Sequence, residues 1–229
     1  GEGADTITGG TSADQISGGG GADEFVYVAD ADLFTAANVG VDIVNGGDGV
    51  INTLGINNNA AAAFTIVAAD VINGASRIRD INTIRAVGAS NQIITVQVSA
   101  ATALTGLTTI DLSADTLITA DNNLEFADAT AVNVTLIGSA GDDSANGGAG
   151  NDSINTGAAN DTISGNNGND TIEGGAGNDL FTSGGVGDDR IIQDEDGDST
   201  VVATITNVDA TINTGGTVGT WAFTNGVDV

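Results

Sequence analysis

Two spacings of apolar residues alternate along this chain. In residues 1–27 and 138–192 a single apolar residue recurs at every ninth position: Ile7, Ile16 and Phe25, then Ile154, Ile163, Ile172 and Phe181, with Ile191 one residue out of phase. Each sits in the middle of three residues that follow a six-residue segment rich in Gly, Asn, Asp and Ser. Side chains alternate faces along a strand, so a three-residue strand has one inward position. Each nine-residue unit therefore predicts one short strand and one tight turn. Residues 55–134 carry denser runs at Phe64–Val67, Ile81–Ile84, Ile93–Val98, Thr108–Leu112, Leu124–Phe126 and Val132–Ile137. These predict irregular β-solenoid coils or a small sandwich. The last run enters Gly138 without a linker, which favours the solenoid. Ala60–Ala63 predicts a short helical turn, and strand-like runs return at Val201–Thr206 and Trp221–Phe223.

The polar half of the repeat is as regular as the apolar half. One unit reads Gly147-Gly-Ala-Gly-Asn-Asp152-Ser-Ile154-Asn. Asp recurs at 143, 152, 161, 170 and 179, then at 189 after one extra residue, Ser183. The first block has Asp5, Asp14 and Asp23 at the same spacing. Glycines precede these acids: Gly1, Gly3, Gly10, Gly19 and Gly21 in the first block, and Gly141, Gly148, Gly150, Gly157, Gly168, Gly175, Gly177, Gly185 and Gly187 in the second. Gly opens backbone angles closed to other residues and lets carbonyls converge on one point. Asn151, Asn160, Asn169 and Asn178 suit left-handed turn geometry and local side-chain bonding. A decayed copy reads Gly46-Gly-Asp-Gly-Val-Ile51-Asn-Thr, with Ile51 at the Asp position, and no metal is expected on it.

Composition narrows the chemistry. The 229 residues include 31 acids and 4 bases, all four Arg, for a net charge of −27. Lys, His, Cys, Met and Pro are absent. That excludes a histidine triad, a cysteine nucleophile, a thiolate zinc site, disulfides and Schiff-base or P-loop lysine chemistry. So acidic a chain repels nucleic acid and anionic membranes, and no apolar run reaches the ~20 residues of a membrane helix. With 40% apolar residues the chain exceeds what disorder allows, provided the charge is neutralised. Charge divides the chain into blocks: 1–54 with net −9, 55–134 with −4, 135–198 with −12 and 199–229 with −2. The expected organisation follows them: a first repeat block with closing strands, a calcium-poor solenoid or sandwich, the main repeat block, and a terminal β segment that caps it or begins another module. The chain opens at Gly1 with no initiator Met or N-terminal signal pattern, as in a fragment, a mature form or a protein exported by another route.

The unit G-G-x-G-x-D-x-U-x resembles the calcium-binding repeats-in-toxin (RTX, haemolysin-type) family, over residues 1–27 and 138–192. The resemblance implies an all-β fold, a calcium-stacked parallel β-roll or β-solenoid, here with an irregular β-rich middle segment. Two units then make one turn, and residues 18 apart stack at ~4.8 Å. Stacked carboxylates repel, and a divalent cation between them converts the repulsion into ligation. The resemblance implies several Ca²⁺ ions, held by turn carbonyls and by the aspartates and glycines named above. The implied pairs are Asp143 with Asp161, Asp161 with Asp179, Asp152 with Asp170, Asp170 with Asp189, and Asp5 with Asp23. Many oxygen ligands in a flexible loop suit Ca²⁺ better than Mg²⁺. Asp194, Glu195, Asp196 and Asp198 are as consistent with a solvated turn as with a metal site.

Gly21-Ala-Asp23-Glu-Phe25-Val-Tyr27 leading to Asp42-Ile-Val44 resembles the end of an RTX roll in secreted bacterial proteins. Arg77, Arg79 and Arg85 beside Asp80 read as a surface ion-pair group rather than a polysaccharide site. Trp221 reads as a packing residue. The composition further resembles RTX-bearing surface-layer (S-layer) proteins. The expected function is structural: a secreted, calcium-dependent cell-surface or filament protein with copies of itself as partners and cell-surface polysaccharide as a further candidate. No enzyme activity is expected within the chain. The alternative is an RTX adhesin, or the secretion and folding domain of a type I-secreted enzyme.

Overall fold

The computed structural model describes residues 1–28, 33, 42–48, 51–57, 63–66, 78–88, 93–98, 106–118, 122–126, 132–183, 187, 189–193 and 213–214. The Ala60–Ala62 stretch, Arg77, Gly185, the acids from Asp194 to Asp198 and the runs at 201–206 and 221–223 lie outside them. The chain forms two compact units, Gly1–Leu117 and Ile118–Val229.

Among the described residues of the first unit ten strands follow one another: β1 (Thr6–Ile7), β2 (Gln15–Gly19), β3 (Glu24–Tyr27), β4 (Ile43–Gly47), β5 (Thr53–Ile56), β6 (Phe64–Ile66), β7 (Ile78–Arg79), β8 (Thr83–Ala86), β9 (Ile94–Val98) and β10 (Thr109–Asp111). They pair in parallel as β1-β3-β5-β8-β10, β2-β4-β7 and β6-β9. The second unit adds β11 (Asn122–Phe126), β12 (Thr135–Ile137), β13 (Asp143–Asn146), β14 (Ser153–Ala158), β15 (Thr162–Ser164), β16 (Thr171–Ala176), β17 (Leu180–Ser183), β18 (Arg190–Gln193) and β19 (Asn213–Thr214). These pair as β12-β14-β16-β18-β19 and β11-β13-β15-β17, again in parallel. In the repeat blocks a strand skips its sequence neighbour and pairs in parallel with the next but one, the mark of a coil with two strands per turn. The pairs β4-β7, β5-β8 and β6-β9 instead skip two, so these middle coils carry three described strands per turn. The parallel ladders decide between solenoid and sandwich in the middle block, in favour of solenoid coils.

The register carries the 18-residue period. Leu136 stacks on Ile154 and Ile154 on Ile172, while Ala145 stacks on Ile163 and Ile163 on Phe181. These inward side chains are buried, and the residues on either side face out. The extra residue is absorbed at the end of β17. Thr162 faces Leu180 and Ile163 faces Phe181, but Ser164 faces Ser183 across a bulge. Thr182 is the residue squeezed out of register, and its hydroxyl donates to the carbonyl of Ile163 at 3.1 Å. The opposite ladder then runs nineteen residues apart, Ile172 on Ile191, and stacking continues.

Arg85 pairs with Glu24 rather than Asp80, its Nε donating to Glu24 Oε1 at 3.0 Å. Gly55 lies between them in the ladder, opposite Val26 on one side and Arg85 on the other. A Cβ on Gly55 would press on Glu24 Oε1 at 3.0 Å. The glycine thus lets the arginine reach over the intervening strand.

Ala159 holds the fourth position of its unit, where Gly168 and Gly177 have φ of 128° and 147°. Its own φ is 81°, a left-handed conformation that L side chains adopt at a cost of ~1–2 kcal/mol. Ala159→Gly is expected to stabilise the calcium-loaded chain by about 1 kcal/mol, less what the freer unfolded chain takes back. The midpoint of chemical denaturation measures this, and a lower midpoint would contradict it.

Candidate metal centre

The aspartates form a ladder whose rungs are side chain to backbone. Each Asp donates its own N–H to Oδ1 of the Asp one coil further on. Asp143 donates to Asp161 at 2.8 Å, Asp161 to Asp179 at 2.9 Å, Asp152 to Asp170 at 2.8 Å and Asp5 to Asp23 at 3.0 Å. Asp170 reaches Asp189 at 3.0 Å, so the inserted residue does not break this pair. The column containing Asp152 begins one coil earlier, where Val134 N–H donates to Asp152 Oδ1 at 2.9 Å. All five expected pairs are thus neighbours, and what joins them directly is an amide proton.

The second carboxylate oxygen has a different fate. Oδ2 of Asp23, Asp152, Asp161 and Asp170 is buried and accepts no hydrogen bond. An ionised oxygen in that state is expensive. Burial pushes the carboxyls of Asp143 and Asp152 up to about 6, and those of Asp161 and Asp170 up to about 7. For Asp161 the Thr156 side chain and then the N–H rung oppose the rise, for Asp170 the N–H rung does, and neighbouring carboxylates reinforce it in both.

In most units a glycine at the first position makes room for that oxygen, although Thr156 stands there in the Asp161 unit. A Cβ on Gly18, Gly147, Gly165 or Gly174 would fall on Oδ2 of Asp23, Asp152, Asp170 or Asp179 respectively. These glycines were not among the expected site residues, which lie at the second and fourth positions. Of those, Gly3, Gly10, Gly19, Gly21, Gly148, Gly157, Gly168, Gly175, Gly177 and Gly187 have positive φ. Several also lie so close to the preceding coil that a side chain would strike its carbonyl, as Gly168 against Gly150 and Gly177 against Ala159. Gly150 has ordinary φ but abuts the Val132 carbonyl, and Gly141 donates its N–H to Ser139 Oγ at 3.2 Å. Gly1 donates from its amino group to the Gly18 carbonyl.

The asparagines beside the aspartates differ from expectation. None of Asn151, Asn160, Asn169 and Asn178 has positive φ. Their bonds run between coils: Asn151 N–H donates to Asn133 Oδ1 at 2.8 Å, Asn169 to Asn151 at 2.8 Å and Asn178 to Asn160 at 3.0 Å. This ladder points backward along the chain, whereas the aspartate ladder points forward. Adjacent residues therefore clamp each coil from both sides.

Among the described residues Asp42, Asn52, Asn82 and Asn122 extend the aspartate columns beyond the motif. Asp42 accepts from Asp14 N–H at 2.8 Å, although nothing in its surroundings in the sequence is a nonapeptide. Asn52, not Ile51, stands in register with Asp23 and accepts its N–H at 3.0 Å, while Ile51 is exposed. The turn from Gly46 to Asn52 is one residue longer than that from Gly18 to Asp23, which displaced the alignment. Asn122 is opposite Asp143 in the second unit, and its Nδ2 donates to Ser139 Oγ at 3.0 Å.

Among the described residues no three acidic, His or Cys side chains gather closely enough to hold a metal by themselves. The donors on offer are the buried Oδ2 atoms and the carbonyls of glycine-lined turns, all hard oxygens. That set fits a calcium ion, which accepts mixed carboxylate and carbonyl ligands.

A family model for the RTX calcium-binding nonapeptide repeat (4 copies) matches residues 1–34, 133–163, 147–181, 156–191 and 165–199. No curated protein and no solved structure matches the chain. The matched segments coincide with the two aspartate ladders.

Raised carboxyl pKa values make the metal-free fold pH-dependent, with a definite sign. Folded Asp143, Asp152, Asp161 and Asp170 keep protons up to about 6 or 7, against an ordinary 3.8, so they favour folding at low pH and lose that contribution as pH rises to about 7. In calcium-free buffer the melting temperature is expected to be higher near pH 5 than near pH 8. With millimolar calcium the order reverses, because protons compete with the cation. Calcium-free stability that rises between these values would refute the assignment of the buried oxygens.

Proposed function

We propose that this RTX-type calcium-binding repeat chain is a structural segment of a secreted surface-layer or filament protein, folded by calcium outside the cell, with no catalytic role of its own. The observation that carries this reading is the commitment of the carboxylates. Whereas Asp143 Oδ2 accepts the Ser139 N–H at 2.6 Å, Asp23, Asp152, Asp161 and Asp170 each spend Oδ1 on the neighbouring coil and hold Oδ2 in a buried slot. Such oxygens serve a lattice of ions rather than a reacting substrate.

Calcium sites of extracellular modules have dissociation constants of roughly 10⁻⁴–10⁻³ M. Sites of that class stay empty at cytosolic calcium and fill after export, coupling folding to location. Self-assembly draws on the coil geometry. Strand β1 pairs on one side only among the described strands, and the other side presents a ladder edge. An identical coil, on another copy or elsewhere in the parent chain, matches that edge at the same 18-residue register.

Sedimentation velocity with negative-stain imaging tests this, in millimolar calcium and after chelation. Calcium-dependent sheets or filaments are expected. A calcium-folded monomer would instead favour an adhesin or secretion module of a larger exported protein.

A further inference from the structure

We propose that the first compact unit contains a calcium-independent seed: in the coils carrying Asp42, Asn52 and Asn82, protein hydrogen-bond donors stand where the repeat coils need a cation. This goes beyond the assembly reading and does not depend on it.

The column that begins Asp5, Asp23 continues as Asn52 and Asn82. Asp23 N–H donates to Asn52 Oδ1 at 3.0 Å, and Asn52 N–H donates to Asn82 Oδ1 at 2.8 Å. The carboxamide thus reproduces the rung that a carboxylate makes. Its second atom differs, because Nδ2 is a donor where Asp has an acceptor. Asn52 Nδ2 donates to the Asp80 carbonyl at 3.0 Å, and Asn82 Nδ2 to the Gly106 carbonyl at 3.2 Å. A cation would bridge a carboxylate to a carbonyl; here the amide reaches the carbonyl directly. Asp42 arrives at the same result differently. Its Oδ1 accepts from Asp14 N–H at 2.8 Å and its Oδ2 from the Tyr27 hydroxyl at 2.9 Å. Beside them, Asp23 Oδ2 is buried with no donor at all.

The apolar core supports the same division. β5 buries Leu54 and Ile56, β8 buries Ile84 and Ala86, and β9 buries Ile94, Val96 and Val98. In the repeat block β14, β15 and β16 each bury a single apolar side chain, Ile154, Ile163 and Ile172. Strands β5, β8 and β9 therefore hide more apolar side chains than the repeat strands, and Asp42, Asn52 and Asn82 leave no unpaired carboxylate oxygen in these coils. They can close without metal, and the finished β5 edge then receives β3 when calcium neutralises Asp23.

Hydrogen exchange by mass spectrometry on the full chain tests this. In calcium-free buffer, peptides covering 83–87 and 108–112 are expected to stay protected, since Val87 N–H bonds to the Ile56 carbonyl and Thr108 N–H to that of Asn82. Peptides covering 162–164 and 171–176 are expected to exchange freely until calcium is added. Equal exchange of both sets without calcium would overturn the proposal. Asn52→Asp keeps the Oδ1 rung but turns an oxygen toward the Asp80 carbonyl. It is expected to lower protection of 83–87 by at least about tenfold without calcium and to regain it with millimolar calcium. Unchanged protection, or a loss that calcium does not repair, would show that the amide does not stand in for the metal.

Discussion

A buried carboxylate with one oxygen bonded and the other waiting is the constraint around which the repeat coils are arranged. The bonded oxygen fixes the period, because the N–H it accepts belongs to the equivalent residue one turn earlier. The waiting oxygen fixes the composition. It favours a glycine at the first position of the unit, because a Cβ on Gly18, Gly147, Gly165 or Gly174 would occupy its place, while Thr156 holds that position in the Asp161 unit. It also makes the metal-free coil costly, as the raised carboxyls of Asp161 and Asp170 show. The chain's charge of −27 follows from repeating this element.

The core alone could not hold such coils. One Ile or Phe per strand buries little apolar surface for the backbone order it requires. The polar ladders supply the register instead, with forward rungs from Asp and backward rungs from the adjacent Asn. This explains the tolerance of the roll to its inserted residue. The bulge at Thr182 is local, and the ladder resumes at Asp170 and Asp189 because the rung needs only that an N–H and a carboxylate meet. Where the motif lapses, between Asp42 and Leu112, strands β5, β6, β8 and β9 carry two or three buried apolar residues, and dependence on carboxylates falls accordingly.

Strands and period were legible in the sequence because both are local: alternation exposes the single inward residue, and phase exposes the stacking of Ile154 on Ile172. The aspartate pairs followed from the same phase. Less legible was anything set by a turn's length. One additional residue after Gly46 moved the column position from Ile51 to Asn52, and only the pairing of β3 with β5 reveals it. Asp42 had no repeat around it, yet it falls in the Asp14 column because β2 and β4 pair in register. The asparagines misled for a related reason. Their turn preference is real, but an 18-residue coil places a carbonyl-type acceptor beneath each N–H, and that longer-range bond prevails. The first-position glycines carried a signal in their recurrence, one that backbone freedom alone would not have explained.

Asn and Asp are nearly the same size, so the choice between them along one column is a choice about conditions rather than shape. Asn52 completes its bonds from within the protein, whereas Asp23 in the same column leaves an oxygen buried and unbonded. A column made wholly of amides would close wherever the chain is synthesised. A column made wholly of carboxylates has no edge to build on until every site is filled. Joining the two kinds in Asp5, Asp23, Asn52 and Asn82 gives a segment whose first coils have an edge ready and whose last step waits for an ion. The single-atom difference between Nδ2 and Oδ2 thereby separates coils that fold on their own from coils that fold on a signal.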